Sequence, residues 1–80
     1  MTKEEVVNKI NVFLIEDFEI DENLLVPENK IVDDIGIDSL DIVDIVVRVN
    51  EIFGFKLEKS ELTNVKTLEE FYNLVYSHVQ

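Results

Sequence analysis

Apolar residues recur at steps of three and four in long stretches of the chain, and each stretch predicts a helix. The first runs through Val6, Val7, Ile10, Phe13 and Leu14 down to Ile15 or Phe18. A strand would need strict alternation, which this stretch lacks. Just ahead of it, Thr2-Lys3-Glu4-Glu5 has the Ser/Thr-x-x-Glu form in which side chains satisfy the first orphan amides of a helix. The second stretch resumes at Ser39 or Leu40 and continues to Phe53, where Gly54 supplies the left-handed residue that closes a helix. Thr67-Leu68-Glu69-Glu70 repeats the capping pattern ahead of Phe71, Leu74, Val75 and Val79 and predicts a last helix. Between these two, Ser60-Glu61-Leu62 opens at most one short helical turn.

From 19 to 38 the periodicity fails, and the segment carries the single proline, Pro27, with Asp21, Asn23, Asn29 and Gly36. A connection of that length is uncommon inside a small domain, so Leu24, Leu25, Val26, Ile31 and Ile35 are expected to pin it onto the core. No internal repeat, low-complexity tract or composition shift marks a linker. The expectation is one all-α domain over residues 1–80, its core supplied chiefly by Ile42, Ile45, Val46, Val49, Ile52 and Phe53 of the second helix.

Composition narrows the class of partner. With 46% hydrophobic and 31% charged residues, the chain has the balance of a folded protein, and with no cysteine its stability rests on burial alone. Eighteen acidic residues against seven basic ones leave a formal charge of −11. Such a surface repels nucleic acid and anionic lipid and attracts basic patches on other proteins, speeding encounters without requiring tight complexes. The start, Met-Thr-Lys-Glu-Glu, is acidic where a secretory signal is basic, and no apolar run reaches membrane-spanning length. A monomer in the cytoplasm, without membrane insertion, is expected.

In the second helix Asp41, Asp44, Arg48 and Glu51 fall at steps of three, four and three and share a face, with Leu40 and Val47 beside them. Charge for approach and aliphatic contact for fit make a docking surface; an ordinary solvated helix face has the same pattern. Asp34-Ile35-Gly36-Ile37-Asp38-Ser39-Leu40-Asp41 is more specific, because a glycine turn there delivers a serine to the mouth of a helix. Ser39 is expected to be exposed, as the N-cap or its neighbour. The free amides and positive dipole end at that place suit a phosphodiester attached to it.

These residues resemble the acyl carrier protein family, whose attachment site reads Asp-Ser-Leu after a Gly-x step, here Gly36-Ile37-Asp38-Ser39-Leu40. The similarity extends over nearly the whole chain, from the first helix through the long loop to the helix beginning near Thr67. It implies a small four-helix bundle with a long loop between the first two helices and a short third helix. It further implies that a phosphopantetheinyl transferase attaches 4'-phosphopantetheine to Ser39, and that fatty or polyketide acyl groups ride on that arm as thioesters. Asp38, Leu40, Asp41, Asp44, Val47 and Glu51 match the family's positions for docking acyl-transferring and acyl-modifying enzymes, and the bundle interior is expected to shelter the acyl chain. The chain would be a carrier and not itself an enzyme. Arg48, Lys56 and the Leu57-Glu58-Lys59 step depart from the usual pattern and bear on partner choice; Ile37 before Asp38 departs from the Gly-His or Gly-Asp step of peptidyl carriers.

Other readings are weaker. A Ser-His-Asp hydrolase would depend on His78, the single histidine, two residues from the end. Asp33, Asp34, Asp38, Asp41 and Asp44 do not make a calcium-binding EF-hand, since Gly36 would put its first ligand at Ile31, and no metal site is expected. Two rivals keep the helical fold. One is a noncovalent acidic adaptor or inhibitor that docks on a basic protein through the second helix and leaves Ser39 unmodified. The other is a carrier of aminoacyl or peptidyl groups.

Overall fold

The first and last helices begin where the capping pattern places them. In the computed structural model, which describes Met1 to Gln80, α1 spans Lys3–Phe18 behind Thr2. The Glu5 N–H donates to Thr2 Oγ1 at 3.2 Å while the Thr2 N–H donates to Glu5 Oε1 at 3.0 Å. That backbone donor is the first reason the Glu5 carboxyl is held below its usual range. α2 spans Ser39–Phe53 and α3 Lys59–Thr63; α4 spans Leu68–Val79 and repeats the reciprocal cap with Thr67 and Glu70. Gly54 closes α2 at φ 74°, as its place after Phe53 requires. The C-cap of α1 is Glu19, at φ 55°, where glycine was not available.

Helix α1 packs on α4 and α2, and α3 bridges α2 and α4, which gives the expected four-helix arrangement. Val6, Ile10, Phe13 and Leu14 are buried from α1, Ile42, Ile45 and Val49 from α2, and Leu68, Phe71, Tyr72 and Val75 from α4. Each such aliphatic or aromatic side chain contributes roughly 1.5–3 kcal/mol by leaving water. Val46, Ile52 and Phe53, expected in the core, are only half-buried and close its edge. Tyr72 replaces them as a core residue: its ring is buried while its hydroxyl donates to Asn11 Oδ1 across the α1–α4 interface. Leu57, between α2 and α3, is buried as well, and its N–H donates to Asn50 Oδ1 at 2.7 Å.

The long connection is ordered by its own turns. Asp21 caps a 3-10 turn over Glu22–Leu24, and Asn29 Nδ2 donates to the Leu24 carbonyl at 2.9 Å. Ile31 and Ile35 are buried, as expected, but Leu24 and Leu25 reach only the edge of the core and Val26 stays exposed. Ile37 is the additional anchor, 1% exposed. The loop is also tied to the entrance of α4, where the Ile31 N–H donates to the Lys66 carbonyl at 2.8 Å and the Leu68 N–H to the Asn29 carbonyl at 2.9 Å. No helix is long and apolar enough to cross a membrane.

Candidate functional site at the mouth of α2

The turn that leads into α2 is built from backbone hydrogen bonds around Gly36. The Asp34 and Ile35 N–H groups both donate to the Lys30 carbonyl at 3.0 Å, the Lys30 N–H returns to Asp34 Oδ2 at 2.7 Å, and the Ile37 N–H donates to the Ile31 carbonyl at 3.1 Å. Closing this ring requires φ 89° at Gly36, a conformation that side chains oppose. With Ile35 and Ile37 buried on either side of the glycine, the chain emerges extended at Asp38 and turns helical at Ser39.

Asp38, and not Ser39, is the N-cap. Its Oδ1 accepts from the Leu40 N–H at 3.0 Å and from the Asp41 N–H at 2.9 Å. Ser39 therefore stands at the first helical position, exposed, with its hydroxyl not spent on the cap. The same geometry corrects one expectation. Two of the amides that would have faced a phosphodiester on Ser39 are already taken by Asp38, whose charge also offsets the positive end of the helix. A group esterified to Ser39 would stand out in solvent, not gripped by the helix end.

Behind this serine lies an apolar cavity of 90 Å³. Ile37 and Ile42, which bracket Ser39 in sequence, line it together with Ile45, Leu62 and Phe71. Exposed Val32 and Thr63 are also in its wall, so the cavity reaches the surface on that side. An exposed hydroxyl next to a short apolar hole fits a flexible arm that carries an aliphatic load.

Along α2, Leu40, Asp44, Val47 and Glu51 form one exposed stripe, as their spacing predicts. Leu40 is 77% exposed, extreme for a leucine in a small domain with a complete core. Val43, 44% exposed and one turn from both Leu40 and Val47, belongs to the stripe and was not singled out from the sequence. Its place three residues after Leu40 and four before Val47 was the available signal. Asp38 is exposed at the head of the stripe, whereas Asp41 is half-buried on its flank.

Arg48 shares that flank but does not project as a free cation. Its Nε donates to Asp17 Oδ2 at 2.8 Å, an Nη lies 2.7 Å from the same carboxylate, and the other approaches Glu51 at 3.7 Å. The guanidinium is spent bracing α2 against α1, and the outward stripe stays acidic and aliphatic. Lys56 and Lys59 lie beyond it, Lys56 within 3.7 Å of Glu58.

His78 is not aligned with Ser39 for catalysis. Its ring stacks on Phe55 with centroids 4.4 Å apart, and its Nε2 lies 3.2 Å from Glu61 Oε2, so it fastens the end of α4 to α3. Nor do the acids near the helix mouth converge: no three His, Asp or Glu side chains come together in metal-binding geometry.

Comparison with known proteins agrees with this layout. Residues 13–75 match the family described as the phosphopantetheine attachment site. The acyl carrier protein of Thermotoga maritima is 31% identical over 92% of this chain and 91% of its own length, and that of Petrotoga mobilis is 32% identical over 94% and 88%. The acyl carrier protein AcpXL of Brucella melitensis is 39% identical over 70% of this chain and 60% of its own. The chain belongs to the acyl carrier protein family and contains its phosphopantetheine attachment domain.

Proposed function

We propose that residues 1–80 act as one functional unit that carries fatty or polyketide acyl intermediates on a 4'-phosphopantetheine arm attached to Ser39. The observation that carries this reading is the exposed serine at the first turn of α2, uncommitted to the cap, with Asp38 before it and Leu40 after it. The arm supplies the thiol on which acyl groups form thioesters. The chain's own residues supply the rest. Gly36 and Asp38 set the hydroxyl at the helix mouth, and Ile37, Ile42 and Ile45 offer an apolar refuge for the load. The stripe of Leu40, Val43, Asp44, Val47 and Glu51 meets basic patches on the transferase and on the acyl-transferring and acyl-modifying enzymes. Catalysis belongs to those partners, and a monomer in the cytoplasm is the working state.

The apolar lining favours fatty or polyketide cargo over aminoacyl groups, because a charged α-amine would lose its hydration in a cavity whose single polar side chain is Thr63. Incubation with coenzyme A and a phosphopantetheinyl transferase, followed by intact mass measurement, tests the reading. The protein is expected to gain the mass of one phosphopantetheine, and Ser39→Ala to gain none. An unchanged mass would favour the noncovalent adaptor, which needs only the α2 stripe.

A further inference from the structure

Two lysines from distant segments meet beside the apolar cavity. The Ile31–Lys66 backbone hydrogen bond at 2.8 Å and an isolated antiparallel bridge between Lys30 and Thr67 hold the loop against the entrance of α4. This sets Lys30 and Lys66 at a cleft of 280 Å³ that Val32, Asp33, Thr63 and Val65 complete. Val32, Thr63 and Val65 also line the 90 Å³ cavity, so the polar cleft and the apolar hole share a wall. The ion pairs of the chain use Arg48, Lys56 and His78, and neither the Lys30 nor the Lys66 ammonium is in one, although the backbone N–H of each donates to a nearby carboxylate, Asp34 at 2.7 Å and Glu70 at 3.2 Å. Asp33 is the one acid in the cleft, which leaves its lining net positive on a molecule of charge −11.

We propose that this cleft seats the terminal carboxylate of a dicarboxylic acyl group, held as its half-thioester on the arm. The inference rests on the carrier reading of Ser39 and deepens it by naming a class of cargo. A neutral acyl chain has the apolar cavity to enter. A chain that ends in a carboxylate cannot follow it, since the cavity would strip water from the charge without returning a hydrogen bond. The acidic surface elsewhere repels the same carboxylate. Lys30 and Lys66 offer it two donors at the rim, where the methylenes behind it still touch Val32 and Val65. The site remains wet, so each contact is of the modest strength typical of exposed ion pairs.

The test compares two loads of equal length. Wild-type protein, a Lys30→Gln/Lys66→Gln double variant and a Lys30→Arg/Lys66→Arg double variant are each loaded by a phosphopantetheinyl transferase from adipoyl- and hexanoyl-coenzyme A. Loading is read by intact mass, and cleavage by hydroxylamine at low salt is timed relative to the matching coenzyme A thioester in solution. In the wild type the adipoyl load is expected to be protected about fivefold more than the hexanoyl load, the scale of two exposed ion pairs. The glutamine pair should abolish that difference while leaving hexanoyl cleavage unchanged, and the arginine pair should keep it. Equal protection of the two loads in the wild type, or a difference that survives the glutamine pair, overturns the cleft assignment. Failure to load at all overturns the carrier reading itself, so the two failures are told apart by mass.

Discussion

A Cβ on Gly36 would meet nothing within 4 Å, yet the residue sits at φ 89° in the turn that aims Ser39. Steric fit is therefore not the issue, and the cost of any side chain there is conformational, about 1–2 kcal/mol. Gly36→Ala is expected to lower the unfolding free energy by that amount in a urea titration and to slow modification of Ser39 by the transferase; an unchanged stability would show that the turn closes without the left-handed residue. Tyr72 gives a second test at the same scale. Burial in the α1–α4 interface pushes the pKa of its hydroxyl up to about 12. A raised pKa means that the folded state keeps the proton after the unfolded chain has released it. The stability tied to the neutral phenol is then complete below pH 10, the unfolded value, and is lost as the pH climbs through 12. Urea midpoints measured between pH 9 and pH 12 are expected to fall more steeply for the wild type than for Tyr72→Phe, and parallel curves would contradict the assignment.

Among the elements, α3 is the one that local sequence does least to explain. It has five residues, too few to persist alone, and its N-cap Glu58 makes no side-chain cap hydrogen bond. Tertiary contacts hold it: buried Leu62, the Asn50–Leu57 hydrogen bond at its approach, and His78 between Phe55 and Glu61. Since Leu62 and Thr63 also line the apolar cavity, the grip of α4 on α3 controls how firmly that wall stands. His78→Ala removes both the stacking and the contact with Glu61, together about 1 kcal/mol. Amide exchange at Leu62 and Asn64, whose N–H groups bond to Glu58 and Glu61 carbonyls, is expected to quicken about fivefold while α1 is unaffected. Uniform acceleration would mean that α3 opens only with the whole fold. The contrast with α1 and α4 shows what was legible in the sequence. Thr2 with Glu5 and Thr67 with Glu70 act within one turn, and so does the period of buried residues, so those helices and the position of Ser39 could be read directly. The pairing of Arg48 with Asp17, the stacking of His78 and the meeting of Lys30 with Lys66 join residues far apart in the chain, and no local pattern carries them. Val43 was assigned to neither face for a related reason: which valines of an apolar run stay uncovered depends on where the neighbouring helices pack.

At the scale of the molecule, the question is how a charge of −11 fits within a radius of gyration of 11.2 Å. That radius is close to the roughly 12 Å expected for an ordinary domain of this length, so the fold has not swollen to relieve repulsion. The strain is borne in free energy instead. It is greatest where Asp33, Asp34, Asp38, Asp41 and Asp44 crowd the entrance of α2, as only Arg48 among the α2 side chains brings an opposite charge. Salt acts on both signs of interaction. It weakens the Arg48–Asp17 brace, an exposed pair that contributes at most about 1 kcal/mol. It also shortens the reach of every repulsion: at 0.1 M ionic strength the screening length is about 10 Å, well under the 27 × 24 × 21 Å extents of the protein. Many like-charge pairs are relieved for a few attractive pairs weakened, so the balance favours the folded state. The melting temperature is expected to rise by about 5–10 °C between low salt and about 0.5 M sodium chloride, equivalent to roughly 1–2 kcal/mol in a domain of this size. Magnesium should reach the same plateau at a lower concentration, because a divalent ion gathers more strongly around clustered carboxylates. A melting temperature that stays flat or falls in scanning calorimetry would mean that the acidic surface is already neutralised by pairing in the fold, and the case for the α2 stripe as an electrostatic docking face would weaken with it.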